Sequence, residues 1–477
     1  MISSLAVAPR PALRPARAGT PAFPGVLARA FRAVLAPALF VTVTMALSLV
    51  SADAAQQSQS ERITEVTSPG GIKAWLVRDT TLPLIAMEFA FLGGASQDGP
   101  DKAGLANFTS SLLDEGAGDL DSEAFQRALA DTAVELHFDA SRDDLRGSLR
   151  TLSENRAKAF DLTRLAVTKP RFDAEAVERI RAAQLAMLRR RSTDPNSIAN
   201  EKWFATAFPG HPYGQPVDGS LDSLPKLTRD DVAGFAKRTL ARSNLRVAVV
   251  GDIDAEELGR RLDEMFGALP AEPQLKPVAD VKPQKLGTLD VVPLDVSQSV
   301  VVIGTEGFER QDPDFIPAFV LNHILGGSAF SSRLFKEVRE ARGLAYSVHS
   351  YQAPLEHTGL WFAGTATKNE RAGESIGLIQ SEFRKMLAEG PTAQELDEAK
   401  KYLTGSYALR FDTSSKVAGQ LLQIQLDRLG RDYIDRRNAL VEAVSLDDLK
   451  RVSGRLAGAK DALVVVVGKP AGVTSAN

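Results

Sequence analysis

The sequence predicts an α+β protein made of two homologous domains, each an antiparallel sheet packed against long helices on one face. Three observations carry this. Residues 227–251 read LTRDDVAGFAKRTLARSNLRVAVVG and residues 444–468 read VSLDDLKRVSGRLAGAKDALVVVVG, with Asp230-Asp231 over Asp447-Asp448 and Gly251 over Gly468 at a constant offset of 217. Such self-similarity is the mark of an internal duplication. In each copy an Asp-led amphipathic stretch feeds a run of Val and Ala that stops at a glycine, the pattern of a helix beside a core strand. Within each half the expected strands are grouped ahead of the long helices, which argues for helices segregated on a mainly antiparallel sheet.

The chain begins with Arg10, Arg14, Arg17, Arg29 and Arg32 and no acid in its first 33 residues, followed by 17 uncharged residues from Val34 to Val50 and the small-x-small triplet Ala52-Asp53-Ala54. A basic n-region, an apolar block and a small-residue cleavage site read as a signal peptide over residues 1–54. The block barely matches a hydrocarbon core and contains Pro37, so stable membrane insertion after cleavage is not expected. The expected destination is across the inner membrane, in the periplasm. Removing five Arg and one Asp from 57 basic and 60 acidic residues leaves 52 against 59, a mildly acidic body of formal charge −7. That balance offers no broad basic face for nucleic acid. The absence of cysteine excludes disulfides, thiolate metal sites and a cysteine nucleophile.

The first domain is expected over residues 55–269, with strands at 72–77 and 84–92 and helices at 103–113, 155–167, 174–190 and 197–208. Pro270, Pro273, Pro277 and Pro283 punctuate a stretch without helical or strand period, read as a linker over 270–287. The second domain, 288–477, is expected to carry a strand near 300–304, helices at 313–325 and 333–342, strands at 345–351 and 359–365, and helices at 370–388 and 393–411.

Gly104-Leu105-Ala106-Asn107-Phe108-Thr109-Ser110-Ser111-Leu112-Leu113-Asp114-Glu115-Gly116 resembles the segment that carries the inverted zinc motif of the pitrilysin (insulinase) family of zinc peptidases, the inverzincins. There a GLA triplet leads into His-x-x-Glu-His. Two His four apart share one helix face and bind zinc, and the Glu acts as general base on the metal-bound water. Here Asn107 and Ser111 stand at the His positions and Ser110 at the Glu position. The family's third ligand, a Glu, falls near residues 184–188, and no Glu occurs between Glu178 and Glu201. Neutral amide and hydroxyl oxygens are poor ligands for zinc, so no zinc site and no catalytic residue is expected in this chain. His211-Pro212-Tyr213-Gly214, with Pro216-Val217 and Gly219, matches a further family landmark, and His211 reads as a structural turn residue.

In the second half, Gly326-Gly327-Ser328, Ser332-Arg333-Leu334-Phe335-Lys336-Glu337-Val338-Arg339 and Arg342-Gly343-Leu344-Ala345-Tyr346-Ser347 resemble the family motif whose Arg, and Tyr seven residues on, reach the substrate backbone. The resemblance implies substrate-binding roles for Arg339 and Tyr346, because a guanidinium and a phenol are donors suited to a carbonyl under attack. The residue-level alternative is a helix Arg paired with Glu337 or Glu340 and an ordinary strand Tyr. His349, Glu356 and His357 do not have metal-site spacing, and Ser331 and Ser332 have no recognisable His and acid partners.

In two-chain members of this family one protomer carries the zinc motif and the other the Arg and Tyr. The resemblance therefore implies a non-catalytic, substrate-binding subunit. Its partner would be a homologous secreted subunit with an intact motif that holds the zinc, and its ligand an extended peptide. The alternative is a peptide-binding or scaffold module with no part in catalysis.

Overall fold

The computed structural model describes residues 58–457 and 461–476, so the signal-peptide reading of residues 1–54 lies outside the described residues. The first half contains β1 (Ile63–Thr67), β2 (Lys73–Arg78), β3 (Leu84–Leu92), α1 (Leu105–Ser110), α2 (Ser122–Asp131), β4 (Glu135–Ala140), β5 (Asp144–Leu152), α3 (Arg156–Thr168), α4 (Ala174–Arg191), α5 (Pro195–Ala207), α6 (Arg229–Thr239), β6 (Leu245–Gly251) and α7 (Ala255–Phe266). The second contains β7 (Leu289–Pro293), β8 (Gln298–Glu306), α8 (Phe315–Asn322), β9 (Ala345–Leu355), β10 (Thr358–Lys368), α9 (Ala372–Glu389), α10 (Ala393–Gly405), α11 (Ser414–Leu426), α12 (Tyr433–Glu442), α13 (Leu446–Ala457) and β11 (Leu463–Gly468).

The strands form two sheets, ordered β1-β2-β6-β3-β5-β4 and β7-β11-β8-β10-β9. Pairing is antiparallel except for β2 with β6 and β7 with β11, which run parallel. The last strand of each half returns from a helix to a slot between two earlier strands, and it can be antiparallel to one neighbour only by being parallel to the other. Without β1, the two sheets share one strand order and one set of directions.

The repeated residues have local causes. Thr228 and Asp231 close a capping box on α6. At the start of α13, Ser445 and Asp448 exchange the same two backbone bonds, Ser445 N–H to Asp448 Oδ2 at 2.8 Å and Asp448 N–H to Ser445 Oγ at 3.1 Å. Gly251 and Gly468 end the paired strands at φ of 145° and 150°, where a Cβ would press on the Leu84 carbonyl and on Ser299.

The long helices pack against one face of each sheet, as expected, and the opposite faces are covered too, by an exchange. Trp203 and Ala199 of α5 lie on Val300, Val302, Val465 and Val467 of the second sheet. Leu421 and Leu422 of α11 lie on Ala90, Ala248 and Val250 of the first. Burial on both faces is why β11 and, after Arg246, β6 read as unbroken apolar runs.

Several expected elements differ in extent. The helix expected at 103–113 is shortened to the six-residue α1, followed by turns. The stretches 313–325 and 333–342 widen into π-helical turns at His323–Gly327 and Phe335–Glu340. The helix expected at 393–411 stops at Gly405 and resumes as a 3-10 turn. α2, β4 and β5 were not expected, because polar and charged residues such as Arg146, Ser148 and Arg150 interrupt the apolar pattern of β5.

Candidate functional site

Asp98 builds the start of the degenerate motif. Its carboxylate accepts the backbone N–H groups of Gly104, Leu105 and Ala106 at 2.9, 3.0 and 3.0 Å, anchoring α1. Burial pushes its carboxyl up to about 7 in spite of these bonds. Gly104 sits at φ 91° against the backbone of Gly219, 2.6 Å from where a Cβ would fall, so the glycine of the GLA triplet and that of the later landmark are there for each other.

On α1, Ser110 Oγ and Ser111 Oγ both donate to the Asn107 carbonyl, at 2.8 and 2.9 Å. Across from them Gln184 of α4 donates its side-chain N–H to Ser111 Oγ at 3.0 Å. Tertiary packing thus brings the candidate third-ligand position onto the second His position, and the two are joined by a hydrogen bond. A neutral amide whose N–H points at a hydroxyl does not fit zinc, and the donor set here offers neither imidazole nor carboxylate. The Gln184 carbonyl oxygen is enclosed without a partner. Among the described residues no group of three His, Asp or Glu is placed to hold a metal ion.

The second cluster lies where α8 and the following turns meet β9. Gly326 has no room for a side chain, since a Cβ would fall 2.6 Å from Ser350 Oγ, and Gly327 abuts Asn322. Arg333 is clamped by Glu395 at 2.7 and 2.8 Å. The π-helical turn ends with Leu344 N–H donating to the Val338 carbonyl at 2.9 Å and Gly343 turning at φ 58°. This brings Arg339 and Tyr346 together: the guanidinium lies 4.8 Å from the Tyr346 ring and 4.9 Å from the Phe335 ring. Phe335 in turn meets the exposed Phe330 edge-on at 5.5 Å. Tyr346 is 82% exposed. Glu337 pairs with Arg342 at 2.5 Å, and among the described residues no carboxylate pairs with Arg339.

The other singled-out residues have separate environments. His211 Nδ1 accepts the Tyr213 N–H at 3.1 Å, holding the turn, and its Nε2 faces the Ala279 carbonyl at 3.0 Å, tying the turn to the segment 270–287. Glu356 pairs with Arg428, His357 with Asp280, and His349 stacks on Tyr351. Ser331 bonds Ser328, and Ser332 is buried.

One buried hub has no signature in the sequence. Tyr213 donates to Asp143 at 2.6 Å and accepts the His357 N–H at 3.1 Å, while Asp143 also takes the Glu356 N–H. Burial raises the carboxyl of Asp143 above its ordinary value. The HPYG landmark contained Tyr213, but nothing in the sequence names its partners.

Residues 226–403 match the family model described as the peptidase M16 inactive domain. The chain is similar to the non-peptidase homologue YmxG of Helicobacter pylori, 29% identical over 343 residues that cover 70% of this chain and 77% of that one. It is also similar to an uncharacterized zinc protease of Streptomyces coelicolor, 26% identical over 85% of this chain and 89% of the relative. The crystal structure of a peptidase M16 inactive domain from Pseudomonas fluorescens superposes with a TM-score of 0.79 at 27% identity, covering 85% of this chain and 97% of that one.

Proposed function

We propose that this chain, a pitrilysin-type M16 homologue carrying that family's inactive domain, is the substrate-binding subunit of a secreted two-chain zinc endopeptidase acting on extended peptides. The observation that carries this reading is the asymmetry between the two motifs. The zinc-motif positions are occupied by Asn107, Ser110, Ser111 and Gln184, none of them an imidazole or a carboxylate, and the two serines and Gln184 are tied to one another or to the local backbone. Arg339, half-buried, stacks on the exposed Tyr346, and among the described residues no carboxylate pairs with either.

The chemistry asked of this chain is modest. The Arg339 guanidinium supplies N–H donors and the Tyr346 phenol an O–H donor to a peptide carbonyl, holding it in register and favouring the charge that develops on attack. Metal-assisted attack would be the work of the partner subunit. Stacking on two rings limits the rotamers of Arg339, so less freedom is lost on binding.

A homologous subunit with an intact His-x-x-Glu-His would complete the site, and residues 1–54 would direct this chain to the periplasm. Among the described residues no helix is long and apolar enough to cross a membrane. The test is to purify the chain alone and with such a partner and to measure zinc and cleavage of unstructured peptides. Cleavage and zinc should belong to the pair. Zinc-dependent cleavage by the lone chain would overturn the reading. A scaffold role without catalysis would show instead as a complex whose turnover ignores Arg339.

A further inference from the structure

A cavity of about 650 Å³ opens between α8, β9 and the helices α10 to α12. Its lining holds three arginines, Arg310, Arg410 and Arg437, against a single carboxylate, Asp427. Arg310 is taken by Asp427 at 3.1 Å and by the Tyr433 hydroxyl at 2.8 Å, and Gln423 holds the other oxygen of Asp427 at 2.7 Å. The acid is therefore occupied, and among the described residues neither of the remaining two arginines has a carboxylate partner.

Arg437 is only 5% exposed. Its Nη1 donates to the Leu403 carbonyl at 2.6 Å and to Asn438 Oδ1 at 3.0 Å, and the guanidinium lies 4.6 Å from the Tyr407 ring and 5.6 Å from that of Phe319. Among the described residues both of its hydrogen bonds run through Nη1, leaving the Nε and Nη2 edge without one, and no carboxylate pairs with the group. A buried guanidinium without a counter-ion is costly, and ring faces relieve the charge without satisfying its N–H groups. Burial accordingly pulls its pKa down. Arg410 is exposed, lines the same cavity and forms no ion pair among the described residues. A second observation points the same way: the Gln352 side chain, also in the lining, has both its carbonyl oxygen and its amide nitrogen enclosed without a partner.

We propose that this cavity binds a carboxylate borne on an aromatic or apolar group, with the carboxylate oxygens held by Arg437 and Arg410 and the apolar part lying among Tyr351, Tyr402 and Tyr407. Size, several aromatic rings in the lining and a few convergent polar groups are what a small-ligand site requires. A guanidinium edge with two free donors matches a carboxylate. The C-terminus of a peptide and a free aromatic acid share this chemistry. The inference does not rest on the two-chain reading and can succeed or fail without it.

The test is calorimetric titration of the full chain with N-acetyl-phenylalanine, with a short N-acetylated peptide ending in Phe, and with the C-terminal amide of that peptide. The free acids should bind and the amide should bind at least about tenfold more weakly, since it removes the charge that Arg437 and Arg410 recognise. Binding by the peptide but not by the amino acid identifies a peptide terminus; the converse identifies a small acid. Arg437→Gln and Arg410→Gln should each weaken binding by about tenfold, and because Arg410 is exposed its variant keeps the test valid should Arg437→Gln fail to fold. Equal binding of acid and amide, absence of binding at millimolar ligand, or indifference to Arg410→Gln would overturn the proposal.

Discussion

Gln184 of α4 donates its side-chain amide to Ser111 Oγ of α1 at 3.0 Å, so two positions 73 residues apart in sequence, 184 against 111, form one contact where the resemblance places two ligands of a zinc ion. The fold keeps these two positions in contact while neither carries an imidazole or a carboxylate.

Restoring the donors should therefore restore binding. The variant Asn107→His, Ser110→Glu, Ser111→His, Gln184→Glu should retain one equivalent of zinc after dialysis, measured by elemental analysis, where the parent chain retains none. A folded variant without zinc would show that α1 and α4 do not present these positions to a common point.

Loss of the Arg339 guanidinium should be felt in turnover and not in assembly. In the reconstituted complex, Arg339→Ala should lower kcat by about a hundredfold while the subunits still co-elute, as expected when a preorganised donor is removed. Tyr346→Phe keeps the ring under Arg339 but removes the hydroxyl, so it isolates the phenol's own part. Unchanged kcat in both variants would favour the scaffold reading.

The exchanged helices make the halves depend on each other. Trp203 is fully buried on the second sheet, 4.5 Å from the Phe362 ring, and donates its indole N–H to the Leu463 carbonyl at 3.1 Å. Trp203→Ala should cost about 3–5 kcal/mol of stability in urea unfolding. Residues 288–477 expressed alone lack α5, leaving the face of Val300, Val302, Val465 and Val467 bare, and should be recovered mainly as aggregate. A soluble, cooperatively folding second half would refute this dependence.

Glu88 of β3 provides a pH test. Burial and the neighbouring Asp139 push its carboxyl up to about 7 from 4.5, partly opposed by Arg146. A carboxyl raised in the folded state binds its proton more tightly there than in the unfolded chain. Its contribution to stability is therefore complete below about 4.5 and is lost as pH rises to about 7. Glu88→Gln should raise the denaturation midpoint at pH 8 relative to the parent chain and lose that advantage at pH 4. An equal effect at both pH values would assign the change to packing.

Much of the architecture was legible before any coordinates. The repeated Asp pair announced two helix starts because a capping box is a local device, and Gly251 and Gly468 announced two strand ends because only glycine tolerates that backbone against a neighbouring strand. The strand at Leu84–Leu92 was readable from its nine-residue apolar pattern. β5 was not, since its alternation runs through Arg and Ser, nor was the break at Gly405, where one expected helix becomes two elements.

By itself, then, the sequence determined the helix caps, the strand ends, the loss of every imidazole and carboxylate from the zinc-motif positions and the spacing of Arg339 and Tyr346. Each of these is written in residue identity or in short periods. Tertiary structure alone decided that Gln184 meets Ser111, that α5 and α11 trade sheets, that Arg339 stacks on Tyr346 while Glu337 turns to Arg342, and that Arg437 is buried beside a cavity whose lining carboxylate, Asp427, is given to Arg310. Those relationships join residues through packing, and partners chosen by packing leave no periodic trace along the chain.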